Sequence, residues 1–361
     1  MGFHTVADHS AIIIEGMALV QRAKFDGQQP TFHEIADRIF SMAISEVHHF
    51  APDIVFDTYK PLSIKYNERA NRATAGLQVQ NIASGQKIKQ WRKFLAIKNN
   101  KTSLIKFVIK EWNNEEYIKK LDNIHKILYA TCEENCFLFS AVRCREVPEL
   151  NCLQEEADGR LLLHAAHAAE AGFENVVISS NGTDVLVLNI AFCDTIKTNL
   201  YQRIGTSTRT QPVYIGEVAS SLGSAVCTAL LGLHAFTGCD SVSAFAGKGK
   251  VSAPKMLKSD KEFQQAFSNL GKDWELSNEM FEKIEQFTCR LYAPKQPTIS
   301  VNDLRYQLFC AKSGDIESHQ LPPCEDCLQK HTQRVNYQAG LWRRSLLNDT
   351  RAPNPVGTVG Q

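Results

Sequence analysis

Acidic side chains recur where strand-like runs stop. Glu15 follows the apolar run 11–14, Asp57 closes the segment 53–57, and Asp184 lies just past the apolar run 176–179. Glu155, Glu156 and Asp158 open an Ala- and Leu-rich stretch that reads as a helix ending before Gly172. Carboxylates that converge repel one another unless a cation, a proton or open solvent relieves them. The chemistry that uses such a group is coordination of hard divalent ions, Mg2+ or Mn2+, which take oxygen ligands and keep some waters. Two such ions about 4 Å apart clamp the attacking and leaving oxygens of a phosphodiester. Taken one at a time, the same acids have an ordinary use as helix caps, because the positive end of the helix dipole favours them.

The elements that must position these groups alternate between strand and helix. Residues 11–14 have the β-branched, fully apolar character of a buried parallel strand, and 53–57, 127–130, 136–139 and 176–179 also read as strands. A helix-like segment begins at Gly16, and Thr31 is placed to cap a second helix that shows Ile35, Ile39, Phe40 and Ala43 on one face. Residues 184–190 read as a further strand after the Asn181-Gly182 turn. Helices are expected over 218–233, 260–270, 277–292 and 301–311. In open α/β sheets the crevice outside the carboxyl ends of the strands is where ligands bind, and that is where Glu15, Asp57 and Asp184 fall.

The chain has 361 residues, 43% hydrophobic and 22% charged, with a formal net charge of +1. The total hides an asymmetry. Between Lys60 and Lys110 there are twelve Lys or Arg and a single acid, Glu68. A solvated helical face normally mixes signs, so this stretch suits a phosphate backbone. Leu104, Phe107, Val108 and Trp112 form an apolar stripe within it, and Trp91, Phe94 and Trp112 are read as core aromatics rather than base-stacking platforms. Eleven cysteines without a disulfide framework, and no secretory signal, point to an intracellular chain with free thiols, nuclear rather than cytoplasmic. No run is long enough for a membrane helix, so membrane partners are not expected.

The ordered set of short motifs resembles the flap-endonuclease branch of the PIN-like 5′-nucleases. It comprises Glu15 to Ala18, Val55 to Asp57, Lys65 with Arg72, Glu156 with Asp158, Thr183-Asp184 and Gly238 to Asp240, and runs over about 11–257. The resemblance implies a three-layer α/β PIN-like domain with a mainly parallel sheet, a helical arch or lid, and a helical C-terminal part. It implies Glu15, Asp57, Glu156, Asp158, Asp184 and Asp240 as ligands to Mg2+ or Mn2+. Lys65 and Arg72 would handle the scissile phosphate, and Gly247, Lys248, Gly249 and Lys250 would begin a helix-hairpin-helix that grips the nucleic-acid backbone. Lys87, Lys89, Arg92 and Lys93 in the basic stretch join the nucleic-acid-binding set. Two departures stand out: Glu15 is found where the family has Asp, and Gly182 where it has an acid. A second likeness, over nearly the whole chain, is to a multi-copy group of animal proteins often associated with mobile elements.

The expected organisation is a nuclease-like domain over 1–258 with a basic insertion at about 60–125, a helical extension over 259–347, and a disordered tail over 348–361. The expected activity is metal-dependent hydrolysis of DNA or RNA; the alternative is a nuclease-derived binding or assembly protein that has lost turnover. Cys324, Cys327 and His331, with His319 upstream, have the spacing of a structural zinc site. His164 and His167 are read as histidines of a helix face rather than ligands.

Overall fold

The computed structural model describes residues 10–25, 29–45, 52–58, 81–206, 209–248, 250–295, 300–311 and 317–354. Lys65, Arg72 and Gly249 lie outside these. The chain divides into two compact units, 1–216 with 345–350, and 217–344 with 351–361. This division falls at 216, earlier than the boundary expected near 258, because the long helix 224–236 packs with helices that follow it in the chain.

Among the described residues eight strands form, all in the first unit: β1 (Ser10–Glu15), β2 (Pro52–Val55), β3 (Leu128–Cys132), β4 (Asn135–Phe139), β5 (Cys144–Glu146), β6 (Asn175–Ser179), β7 (Asn199–Thr206) and β8 (Arg209–Tyr214). They form one sheet in the order β5-β4-β3-β2-β1-β6-β7-β8. The five central strands pair in parallel, and antiparallel partners finish both edges. This is the mainly parallel α/β sheet expected from the sequence. From β1 the order runs outward in both directions, to β2 and β3 on one side and to β6 and β7 on the other. The order therefore reverses between β1 and β6.

Side chains alternate across the sheet, and each face is covered. Ile14, Ile54, Leu128 and Ala130 join a core with α2 (Phe32–Ser45) and with α4 (Lys98–Trp112). Helix α2 follows α1 (Gly16–Arg22) and opens with a reciprocal cap: the Thr31 N–H donates to the Glu34 carboxylate at 2.7 Å, and the Glu34 N–H donates to Thr31 Oγ1 at 3.2 Å. On the opposite face, Asp53 meets α6 (Ala157–Glu170) through His164, with Nδ1 2.7 Å from the carboxylate. Burial holds the His164 pKa below its ordinary value, so the ring is a neutral core histidine, as expected of a helix-face residue.

The described part of the basic segment is a structural layer. It consists of α3 (Trp91–Ala96), α4 and α5 (Glu115–Asn123). Trp112 is fully buried and donates its indole N–H to the Ala36 carbonyl at 3.1 Å. Leu104, Phe107 and Val108 are buried beside it. The arch or lid is expected over about 60–125, of which 60–80 lie outside the described residues; residues 91–123 join the core, where their apolar stripe buries against α2. The strand expected over 184–190 is also corrected: it is α7 (Thr183–Phe192). A short run that is apolar on almost every side suits a buried helix as well as a buried strand.

The second unit is helical. After α8 (Ile215–Leu222) the chain turns by 100° at Gly223, whose φ is +83°, into α9 (Ser224–Phe236). Then follow α10 (Ser252–Ser259), α11 (Lys261–Asn269), α12 (Asn278–Tyr292), α13 (Val301–Ala311) and α14 (Glu325–Arg343). Asp260 caps α11 and Ser277 caps α12 through their side-chain oxygens. Among the described residues no single helix is long and apolar enough to cross a membrane.

Candidate active site at the carboxyl edge of the sheet

Glu15 is the last residue of β1, and residue 180 is the first after β6, so both stand where the strand order reverses. This is the position at which open α/β sheets bind ligands. The two are joined directly: Ser180 Oγ donates to Glu15 Oε2 at 2.7 Å and accepts from the Gly182 N–H at 3.0 Å. The loop 180–182 is held from β7 as well. Gln202 is fully buried and donates through Nε2 to the carbonyls of Ser180 and Gly182, at 3.0 and 3.2 Å, while accepting from Asn189 Nδ2 at 3.1 Å. Asn181 Oδ1 accepts from the Gly205 N–H at 2.7 Å. Sequence reading missed Ser180 and Gln202 because a lone Ser or Gln carries no pattern.

Asp57 follows β2, the neighbour of β1 on the other side. Its Oδ1 accepts from the Ala157 N–H at 2.9 Å, so it satisfies one of the free amides that open α6. The Thr58 N–H donates to the Glu155 carbonyl at 2.8 Å and binds the same two segments together. Arg160, fully buried, anchors this corner by donating to the carbonyls of Glu133, Glu134 and Asn135 and to Thr58 Oγ1. Glu156 is the N-cap residue of α6 and Asp158 lies in its first turn; Asp184 lies in the first turn of α7. Glu15, Asp57, Glu156, Asp158 and Asp184 are all half-buried.

The electrostatics single out one pair. Burial pushes the Glu15 carboxyl above its ordinary pKa; the Ser180 hydroxyl works against this and the nearby charge of Asp57 adds to it. Residue 16 must be small where it packs: a Cβ there would stand 2.4 Å from the Phe56 ring. Position 182 is less tight. A Cβ at Gly182 would meet Ser180 Oγ and Val185 Cγ2, both at 3.3 Å, and its φ of −67° is open to any residue.

The donors are oxygen only, which in kind fits a hard cation. Of the set, Glu15 senses a second member, through the charge of Asp57. Among the described residues, however, no three His, Cys, Asp or Glu side chains gather into a metal-holding group. Asp240 belongs to the second unit, exposed in the loop after α9, where Gly238 has φ +106° and Cys239 and Val242 form a two-way backbone bridge at 3.1 and 3.2 Å. Gly247, Lys248 and Lys250 are exposed in that unit, with Lys248 Nζ 5.5 Å from the centre of the Tyr292 ring. In the first unit Lys87, Lys89, Arg92 and Lys93 are exposed, while Ile88 between them and Phe94 after them are buried.

The zinc expectation does not hold for His331. Its Nε2 lies 3.0 Å from the Phe236 carbonyl and its Nδ1 3.1 Å from Ser243 Oγ, so both ring nitrogens are engaged inside the second unit. Burial lowers its pKa to about 4. His319 is exposed and pairs with Glu317 at 3.0 Å.

No family model matches the chain, and no curated protein matches it. Among solved structures it is similar to a bacteriophage T5 flap endonuclease in a product complex with DNA and metal ions, at 13% identity over 91% of this chain and 99% of that one, with a TM-score of 0.37. It is similar also to a T5 protein co-crystallised with metal ions, at 13% identity over 94% and 89% of the two chains and a TM-score of 0.39. A third is the T5 5′-exonuclease with bound zinc, at 14% identity over 98% and 94%, with a TM-score of 0.34.

Proposed function

We propose that the protein hydrolyses phosphodiester bonds of DNA or RNA with the help of a divalent cation, Mg2+ or Mn2+. The observation that carries this reading is the acidic pair at the carboxyl ends of neighbouring parallel strands, Glu15 ending β1 beside the reversal of strand order and Asp57 following β2, with Glu15 pushed above its usual range by burial and further by the charge of Asp57. When bound, such a cation supplies charge neutralisation and Lewis acidity at a phosphate oxygen. Glu15 and Asp57 would hold it, with Ser180 orienting Glu15 and the Ala157 N–H orienting Asp57. Glu156, Asp158 and Asp184 are the acids that would extend the set, and Asp240, Lys65 and Arg72 are added by the resemblance to 5′-nucleases. Lys87, Lys89, Arg92 and Lys93 would track the phosphate backbone.

A second reading is a nucleic-acid-binding protein that has lost turnover. The absence of an assembled group of three ligands among the described residues favours it, as does Gly182 in place of an acid. One experiment separates the two. Labelled single-stranded, flapped and duplex DNA and RNA are incubated with Mg2+ or Mn2+ and either wild type or Asp57→Asn. Cutting by wild type that falls at least about a hundredfold in the variant supports the nuclease. Salt-sensitive binding without cutting by either protein supports the binding protein and overturns the proposed activity.

A further inference from the structure

Cys324 and Cys327 are left over once His331 is committed to Phe236 and Ser243. Cys324 is the N-cap residue of α14, a helix of 19 residues, and Cys327 lies in its first turn. The pair has the Cys-x-x-Cys spacing with its first sulfur at the start of a helix, an arrangement that favours thiolate and disulfide chemistry, and the Cys327 side chain is hydrogen-bonded to Cys324. Cys324 is half-buried and Cys327 exposed, so both sulfurs lie within reach of a small molecule. The capping position is also structurally anchored: the Glu325 N–H donates to Asn302 Oδ1 at 3.0 Å, and the Leu328 N–H donates to the Cys324 carbonyl at 2.9 Å.

The two thiols are not equivalent. The Cys327 N–H and thiol both face the Cys324 sulfur and hold its pKa below the ordinary thiol value, while Cys327 is raised by its partner. The charged groups around the pair are Asp326 and Arg305 at Cys324, and Lys330 and Asp326 at Cys327. Burial raises Cys132, Cys136 and Cys289, which marks them as inert by contrast.

We propose that Cys324 and Cys327 form a reversible dithiol–disulfide couple, with Cys324 the attacking sulfur and Cys327 the resolving one. The co-reactant is a small-molecule disulfide. The Cys324 thiolate attacks one of its sulfurs, the S–S bond breaks, and the departing thiolate takes a proton from solvent. A mixed disulfide is left on Cys324. Cys327 then loses its proton to solvent and attacks the Cys324 sulfur, which expels the second thiolate. In sum the protein dithiol is oxidised by two electrons and the disulfide is reduced to two thiols. The carboxylates at the sheet edge take no part in this chemistry.

The test uses the full chain equilibrated with oxidised glutathione, then quenched with acid, alkylated and mapped by peptide mass. The expected result is an unalkylated peptide carrying both residues and lighter by two hydrogens, restored by dithiothreitol. Cys327→Ser is expected to retain one glutathione on Cys324, whereas Cys324→Ser forms no such adduct at Cys327 on the same time scale. The couple is overturned if wild type keeps a stable glutathione on Cys324. It is equally overturned if the pair stays reduced while the exposed Cys310 is modified. Should either variant fail to fold, the wild-type peptide map by itself distinguishes a closed disulfide from both of these outcomes.

Discussion

At the scale of single residues, Glu15 is the most informative side chain. It ends a buried strand, and burial together with Asp57 raises its pKa. A carboxyl that is raised on folding binds its proton more readily in the native state than in the unfolded one. Its favourable contribution is therefore complete below the unfolded pKa and disappears as pH rises through the native value. At neutral pH the ionised Glu15 works against folding. Glu15→Gln keeps an oxygen for the Ser180 hydroxyl and removes the charge. The variant is thus expected to unfold at a higher temperature than wild type at pH 7, with the gain shrinking towards pH 4; scanning calorimetry at the two pH values checks this. An unchanged or lowered transition at pH 7 would mean that the charge is already compensated. Such a gain is what a site held for function rather than stability shows.

At the scale of elements, the basic segment is the place where charge misleads. Twelve cations and one acid over 60–110 suggest a surface for phosphate, yet the apolar stripe Leu104, Phe107, Val108 and Trp112 is equally legible and is what the fold uses. Trp112→Ala is expected to cost about 3–5 kcal/mol in urea unfolding, since the ring is fully buried and its N–H is spent on Ala36. Lys93→Ala, on an exposed side chain of α3, should change stability by no more than about 0.5 kcal/mol. The strands β1, β2 and β6 and the helix α6 are readable because β-branched runs and an Ala/Leu-rich helix leave strong patterns. The helix α7 is not, because a run with almost no polar face has no period to read. β7 and β8 escape for the opposite reason: they carry Asn199, Gln202, Arg203 and Gln211, and the buried polar Gln202 is satisfied only by loop carbonyls and Asn189 that sequence does not place beside it. The acids at the strand ends are legible; the Ser180 and Ala157 contacts that orient two of them are not.

At the scale of the whole molecule, the chain leaves the first unit at Gly216 and returns to it for residues 345–350. The tail expected to be disordered from 348 is in its first part a brace. Asn348 donates to the carbonyls of Glu149 and Asn151, at 3.0 and 2.6 Å, and its own carbonyl accepts from the Leu153 N–H at 2.8 Å. Gln154 reaches the carbonyls of Ser345 and Leu347 at 3.0 and 3.1 Å. A side chain at Gly159 would collide with Gln154 and crowd Ser345. The braced stretch leads straight into Glu156 and Asp158. Truncation after Arg344 is therefore expected to speed amide hydrogen exchange over 149–159, at least tenfold, while β1 and β6 exchange as in wild type. Uniform loss of protection across the sheet would show that the segment supports the whole unit instead. This routing also sets an order in time. A chain made from its N-terminus folds its early parts first, but here the loop that carries two of the candidate carboxylates waits for a segment synthesised after the entire second unit. During biosynthesis the stretch 149–154 thus gains its last hydrogen bonds only once Asn348 has emerged.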